Sequence, residues 1–314
     1  MHPAFSVIFF TVASGAGYGL FILMALGYIL GFVEFDKNVI LGGGLLALTL
    51  ISAGLLSSTL HLANPKNAWR AFFRFRTSWL AREGVFAVLF YPVALLFLIG
   101  LWVNLEAGGY NGLVAFVGGA ASLLALATLL STGMIYGCLK TIRQWNTALT
   151  PTNYLLLGLA TGSILFVLIL AWSSQATLVL ASLALVLVTI AAISKAIYYV
   201  WVRTVTGPTI NTATGFTRAQ VRLLDTGHTA GSFLTDEFAY FAPAKLLLTL
   251  RVTVFVAGFF IPLFCLGLIV FGLSAGVLAL LAVLSSFIGI GAERWLFFAE
   301  ARHVIRLYHG AQHT

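Results

Sequence analysis

Charged residues are scarce in this chain of 314 residues. Only 8% of the sequence is Asp, Glu, Lys or Arg, whereas 61% is hydrophobic and the mean hydropathy is +1.03. A soluble domain carries about 25% charged residues, so this composition excludes an ordinary soluble fold and indicates a protein embedded in a lipid bilayer. Proline is also scarce, with 7 residues against 31 glycines, as expected of membrane helices that use small residues at their contacts.

Residues that bind metals are few and badly spaced for that purpose. The two cysteines, Cys138 and Cys265, share no CxxC spacing, so they cannot hold an iron–sulfur cluster or a zinc ion. Their apolar surroundings predict buried thiols. A bis-histidine haem needs histidines that face each other inside the bilayer, and His61 alone lies close to a crossing. The sequence therefore predicts neither haem nor a metal site. The remaining histidines fall in tails or loops: His2, His228, His303, His309 and His313.

Long apolar runs predict eight transmembrane helices, since a helix needs about 20 apolar residues to cross a bilayer. We therefore expect an all-α integral membrane protein, built as one helical bundle that occupies residues 1–314. One sizeable loop, at 202–245, lacks the apolar periodicity for a core of its own. The predicted helices fall at about 5–32, 39–61, 84–105, 111–137, 153–172, 176–201, 246–272 and 275–298.

Basic residues gather on one side of this predicted bundle. With eight crossings, both termini and the even-numbered connections share one face, which we call the basic face. It takes all seventeen Lys and Arg residues except Lys37. The positive-inside rule then predicts that both termini are cytoplasmic, although a docking surface for an acidic partner would produce the same asymmetry. Glu293 and Arg294, at the end of the last helix, are interpreted as part of a charged docking or capping surface, with local ion pairing as the alternative.

The connection between the second and third helices combines proton-carrying groups with aromatic residues. His61 ends one apolar run and Glu83 begins the next. Arginines interleaved with Trp and Phe between them are typical of a segment in the headgroup layer. Quinone reduction takes two electrons and two protons, and a His and a Glu can supply donors to both ring oxygens. We expect a quinone here; the alternative is an interfacial histidine and a helix-start acid stabilised by the helix dipole.

Several separated blocks of the sequence resemble the membrane anchor subunits of the DMSO reductase type, which serve three-subunit molybdopterin oxidoreductases. The resemblance implies eight helices, no haem in this chain, and a site for ubiquinone or menaquinone. It also implies an iron–sulfur partner subunit that exchanges electrons with a molybdopterin subunit. The blocks are MHPAFSVIFFTVASGAGYGL, HLANPKNAWRAFFRFRTSWLAREG, GMIYGCLKTIRQWN, TATGF with VRLLDTGHT, and ERWLFFAEARHVIRLYHG.

The family's functional His and Glu match His61 and Glu83, although the surrounding motif departs from the family pattern. Ala63 and Asn67 replace the glycine and arginine of the usual HLG-x-P-x-R-A, and we interpret Arg70 as supplying the missing charge. In the long loop, Asp236 precedes Glu237 where the family has arginine. The resulting hypothesis is that four residues bind the quinone headgroup and transfer its protons: His61, Glu83, Arg70 and Arg82. Five others would contact the partner subunit: Arg74, Arg76, Arg302, His303 and Arg306.

The block pattern looks most like the anchors of cytoplasm-facing sulfite dehydrogenases, which pass electrons from sulfite into quinone. The runner-up is the anchor of a reductase that passes electrons from quinol to DMSO or another oxide. Both belong in the bacterial inner membrane, and the anchor itself carries no catalytic residue and binds no nucleic acid. A stand-alone transporter would need polar groups along a central pathway and an inverted repeat, and the sequence displays neither.

Overall fold

A computed structural model describes residues 2–60, 64–107, 109–225, 237–238 and 240–314. Within these ranges, eight helices are long and apolar enough to cross a membrane, which confirms the predicted all-α bundle. Two isolated bridges, Ile142 to His303 and Thr209 to His313, are the β pairs recorded in these ranges. The spanning helices are α1 Phe5–Leu30, α2 Lys37–Thr59, α3 Trp79–Ala107, α4 Gly112–Gly137, α5 Leu149–Trp172, α6 Leu178–Thr204, α7 Ala244–Val270 and α8 Ala275–Ala299.

Helix α3 begins earlier than its apolar run, at Trp79 rather than at residue 84. Hydropathy misses this first turn because a helix continues past the lipid core into the headgroup layer, where polar residues such as Arg82 are tolerated. Helix α5 likewise begins at Leu149 rather than at residue 153. The consequence for α3 matters most, since Glu83 lies inside the helix, about one turn from its start.

Helices α1 and α5 form the centre of the bundle, and glycines let their backbones approach closely. Gly15 and Gly19 of α1 face Gly158 and Gly162 of α5, and each pair has the four-residue spacing of membrane helix contacts. A Cβ atom on Gly19 would overlap the carbonyl oxygen of Gly158. The other helices pack around this pair, so α1 is the most deeply buried span although it comes first in the chain.

Helix α7 contains a π-helical turn, Val256–Phe260, in front of Pro262. Proline has no backbone N–H, so it interrupts the regular ladder there, and a π turn is one way for a helix to absorb the interruption. Gly258 in this turn meets Gly289 of α8, where a Cβ atom would overlap the backbone of α7. The turn therefore allows α7 and α8 to form a close hairpin.

Loops and tail are joined by hydrogen bonds at the basic face. The amide of Gly207 donates to the carbonyl of Thr314 at 3.0 Å, and that of Val304 donates to Thr141 at 3.1 Å. The 3₁₀ segment Pro65–Arg74 lies in the α2–α3 connection at the same end. One correction concerns the cysteines: Cys265 is buried as predicted, but Cys138 is exposed, because it lies just past the end of α4.

Candidate functional site

A cavity of about 390 Å³ lies at the basic-face end of α1, α2 and α3. Phe10 of α1, Leu55 of α2 and Ala87 of α3 give it apolar walls. The 3₁₀ segment adds Trp69 and Phe72, so the aromatic connection predicted to lie in the headgroup layer also lines this cavity. Its volume is within the range of small-molecule sites, about 300–1,000 Å³. We call it the apolar cavity.

Glu83 is the acidic residue among the described residues that line the apolar cavity. Its residue surface is only 5% exposed, and the hydroxyl of Thr132 on α4 donates a hydrogen bond to Oε1. Other polar groups of the wall already have partners. The Ser58 hydroxyl donates to the Leu55 carbonyl at 2.7 Å, and Tyr91 pairs with the Ser52 hydroxyl. Glu83 is therefore the lining group best suited to exchange a proton with a ligand.

The remaining predicted quinone residues are distributed differently. His61 lies outside the described residues; it follows α2, whose last residue, Thr59, lines the apolar cavity. Arg82 does not line the cavity: its Nε donates to the carbonyl of Phe75 at 3.0 Å, and its guanidinium lies 4.2 Å from the ring centroid of Trp79. Arg82 therefore stabilises the connection into α3.

Arg70 does not line the apolar cavity either. It is exposed, and its guanidinium lies 5.7 Å from the ring centroid of its neighbour Trp69. Because Trp69 itself lines the cavity, Arg70 borders the site at the surface without entering it. Of the four residues assigned to the quinone, Glu83 is the one whose described side chain reaches the cavity.

A second cavity, of about 270 Å³, opens on the basic face between the ends of α6, α7 and α8 and the C-terminal tail. We call it the arginine cleft, and Gln144 and Glu300 also line it. Arg251 is paired with Glu300, whereas no described carboxylate lies within ion-pair distance of the other three arginines. The four arginines of the cleft are Arg203, Arg251, Arg302 and Arg306.

The predicted docking residues fall into two groups. Arg302 and Arg306 lie in the arginine cleft, where burial and the neighbouring charge of Arg302 lower the pKa of Arg306. Burial lowers the pKa of His303, whose Nδ1 accepts a hydrogen bond from the Ile305 amide at 3.1 Å and caps the helical turn of the tail. His303 is therefore suited to a neutral, structural role. The other group is exposed: Arg74 is the last residue of the 3₁₀ segment, and Arg76 follows two residues later.

Sequence reasoning misplaced three charged residues that the structure buries. Glu293 and Arg294 are not on a docking or capping surface: they are 0% and 2% exposed within α8. Lys195, counted with the basic face, is 1% exposed within α6. Lys195 pairs with one oxygen of Glu293, and Arg294 Nε lies 3.1 Å from the other. We call them the buried triad; the available signal was that each falls inside a run predicted to cross the membrane.

Within the described residues, no group of three or more His, Cys, Asp or Glu side chains could hold a metal ion. The described residues form a bundle of membrane-spanning helices with an apolar cavity and a cationic cleft at one end. The chain belongs to the DMSO reductase anchor subunit (DmsC) family, whose model matches residues 1–299. This confirms the resemblance found in the sequence blocks.

One similar protein matches this chain along nearly its whole length. A sulfite dehydrogenase subunit from Allochromatium vinosum is 35% identical over 324 aligned residues, which cover 98% of this chain and 99% of the relative. The match therefore extends from end to end, and it includes the segments that form the apolar cavity and the arginine cleft.

Proposed function

We propose that this anchor subunit binds a membrane quinone in the apolar cavity and exchanges electrons with an iron–sulfur partner subunit at the basic face. The observation that carries the proposal is the burial of one carboxylic acid, Glu83, in an otherwise apolar cavity at the membrane edge. Family membership supports it, because the chain matches an anchor family along nearly its whole length.

The residues of the cavity fit a quinone. Apolar side chains such as Leu55 and Ala87 suit a hydrophobic ring and tail, and Trp69 and Phe72 limit the access of water. When bound, a quinone accepts or releases two electrons and two protons. Glu83 holds a proton at its carboxyl group, and Thr132 orients that group by its hydrogen bond. His61, two residues beyond Thr59 in the chain, is proposed as the second proton donor.

The arginine cleft supports the proposal of an acidic protein partner. Arg302 and Arg306 are neighbouring cations without a described carboxylate partner; Arg302 is exposed and Arg306 is partly buried, and the charge of Arg302 adds to this burial in lowering the pKa of Arg306. An anionic group of the partner would relieve the repulsion between these cations. Arg74 and Arg76, at and just after the end of the 3₁₀ segment, would extend the contact toward the apolar cavity. We therefore propose that an iron–sulfur subunit, joined to a molybdopterin catalytic subunit, covers this face.

We propose that the electrons come from sulfite, because the relative that matches over the whole chain is part of a sulfite dehydrogenase. The opposite direction, from quinol to DMSO or a similar oxide, is favoured by the description of the family itself. One assay on membranes that hold the assembled complex separates the two. Quinone reduction that depends on sulfite supports the first function, whereas oxide reduction that depends on quinol supports the second.

In that complex we expect Glu83→Gln to lower quinone-linked turnover by about 10²-fold or more, because general acid–base groups contribute at least that much. His61→Ala should act in the same direction. Assembly and the reaction of the soluble subunits with artificial dyes should stay normal. Glu34→Gln, on the opposite face, removes a carboxylate outside the apolar cavity and serves as the control. Full quinone coupling in both the Glu83 and His61 variants would refute the proposed site.

We also propose that the basic face is cytoplasmic, in the inner membrane of a bacterium. The excess of Lys and Arg at this face supports that orientation. A reporter fused after Thr314 should read out the cytoplasm, since the tail is hydrogen-bonded to the other elements of the basic face. Activity of the reporter in the outer compartment would reverse the orientation.

A further inference from the structure

The buried triad has no role in the function proposed above. Lys195, Glu293 and Arg294 lie inside membrane-spanning helices, where ionised groups are costly and usually mark a functional pathway. One carboxylate faces two cations, so the triad retains a net positive charge. Mutual neutralisation therefore does not account for it.

The triad lies in the same layer of the bundle as Glu83. Each of the residues concerned is within about three helical turns of the basic-face end of its helix. Glu83 is near the start of α3, Tyr154 is near the start of α5, and Lys195 and Glu293 are near the ends of α6 and α8. A polar layer thus runs across the bundle from the apolar cavity.

Aromatic and hydroxyl groups connect Glu83 to the triad. Thr132 donates to Glu83, and Tyr136 lies one turn farther along α4. The ring of Tyr136 stacks on Tyr154 of α5, with centroids 5.8 Å apart. The guanidinium of Arg294 lies 3.7 Å from the ring centroid of Tyr154.

The far side of the triad leads to the arginine cleft. The ammonium group of Lys195, paired with Glu293, lies 4.1 Å from the ring centroid of Tyr198. The Tyr198 hydroxyl donates to the carbonyl of Gln144 at 2.9 Å. Gln144 lines the arginine cleft, and its side-chain oxygen accepts a hydrogen bond from the Arg302 amide at 3.3 Å. The polar layer therefore extends to a surface open to solvent.

A small cavity beside Tyr154 adds room for water in this layer. Its volume is about 10 Å³, close to that needed by one water molecule, and Thr11, Tyr154 and Arg294 give it polar walls. The Tyr154 hydroxyl makes no hydrogen bond of regular geometry to a described group, although it lies beside the Arg294 guanidinium and the residue is only 4% exposed. Buried hydroxyls normally have a partner, so a water molecule here would join Tyr154 to its neighbours.

A ligand bound in the apolar cavity would prevent protons from reaching Glu83 through the cavity, so another proton route would be needed. Glu83 is almost fully buried, and a bound ring would separate it from water on the cavity side. Protons then have to reach the carboxyl group from behind, where Thr132 contacts it. The polar layer begins at that point.

We propose, given the quinone function proposed above, that this layer conducts protons between the arginine cleft and Glu83. For each quinone reduced, two electrons come from an iron–sulfur cluster of the partner and two protons reach the ring oxygens; for quinol oxidation both move outward. Lys195, Glu293, Tyr154 and intervening water pass protons by exchanging O–H and N–H hydrogen bonds. Arg294 keeps its proton and holds Tyr154 and Glu293 in position.

Two sets of variants in the assembled complex test the route. Lys195→Met combined with Glu293→Gln removes both exchangeable groups but preserves side-chain size and the net buried charge. Glu293→Gln also removes the carboxylate that pairs with Arg294, and removing the partner of a buried charge is costly, so assembly of this double variant is verified before its turnover is compared. Tyr154→Phe removes a hydroxyl that makes no hydrogen bond of regular geometry and keeps the ring against Arg294, so folding should be unaffected. Ser163→Ala is the control, because it removes a buried hydroxyl that bonds only to the Ala160 carbonyl of its own helix, about two and a half turns beyond Tyr154 on α5.

We expect quinone-linked turnover to fall about tenfold or more in the double variant and in Tyr154→Phe. The ratio of rates in H₂O and D₂O should rise above that of the native complex, because proton delivery becomes limiting. Dye-linked activity should be unchanged in the test variants, and the Ser163→Ala control should keep native quinone-linked turnover. Native rates and isotope ratios in both test variants, with Glu83→Gln inactive, would overturn the route and leave the quinone site intact. Full turnover in Glu83→Gln would instead overturn the proposed function.

Discussion

Thr132 shows how a single residue can define the chemistry of the apolar cavity. Its hydroxyl contacts the Glu83 carboxyl group and also lies 3.0 Å from the carbonyl of Thr128, one turn earlier on α4. Because the backbone of α4 fixes this hydroxyl, the carboxyl group has one preferred orientation. Thr132 acts through Glu83, so it is a positioning residue.

Thr132→Val keeps the shape of the side chain and removes the hydrogen-bond donor. A hydrogen bond between neutral groups contributes about 0.5–1.5 kcal/mol, and 1.4 kcal/mol corresponds to about tenfold in rate. We therefore expect quinone-linked turnover to fall by up to about tenfold, measured beside dye-linked activity in the same membranes. Thr132→Ser retains the hydroxyl and should stay near the native rate. Equal rates for the Thr132→Val and Thr132→Ser variants would show that the hydrogen bond of Thr132 does not contribute to turnover.

At the scale of elements, the crossing of α1 and α5 determines the geometry of the bundle. Gly15 and Gly19 meet Gly158 and Gly162 so closely that the two backbones touch. Phe10 of α1 lines the apolar cavity, and Tyr154 of α5 belongs to the polar layer. A shift of either helix would therefore disturb both regions together.

Gly19→Ala tests the importance of this crossing. The added Cβ would meet the backbone of Gly158, which cannot rotate away as a side chain can. Overpacking of this kind costs about 1–3 kcal/mol, so we expect a lower thermal unfolding temperature of the purified complex. Gly267→Ala in α7, where nothing lies within 4 Å of the new atom, should leave stability unchanged or slightly higher. Indistinguishable unfolding of the two variants would contradict the tight crossing.

At the scale of the whole molecule, the apolar cavity and the arginine cleft both open at the basic face. The α4–α5 connection borders the cleft, and its Gln144 and Ile142 contact the tail through Arg302 and His303. A partner that covers the cleft would therefore also lie close to this connection, which follows the helix that carries Thr132. This arrangement places the proposed electron source and the proposed quinone on one side of the membrane.

Arg302→Glu combined with Arg306→Glu should release the iron–sulfur subunit from membranes, because reversing two charges in the cleft replaces attraction by repulsion. The measurement is the share of that subunit in the soluble fraction. Arg218→Glu with Arg222→Glu makes the same change in net charge at exposed positions of the same face and should have little effect. Equal release, or none, in the two double variants would remove the cleft from the docking surface.

Composition and the positions of the apolar runs determined that this chain is a bundle of eight membrane helices. A bilayer provides no partner for an unpaired backbone group, so long apolar runs have to form helices, and hydropathy detects them. Sequence blocks also identified the family and singled out Glu83. Local sequence could not place Arg70 or Arg82, since their aromatic and backbone partners depend on how the connection folds.

Only the tertiary structure decided which charges are buried together and which groups surround Glu83. Thr132 is 49 residues from Glu83, and Lys195 is 98 residues from Glu293, so no spacing within one helix reveals either contact. Hydropathy averages over a window and therefore assigns a charge near a helix end to the membrane surface. Whether that charge meets water or another helix depends on packing, and here the packing of the bundle buries Lys195 against Glu293.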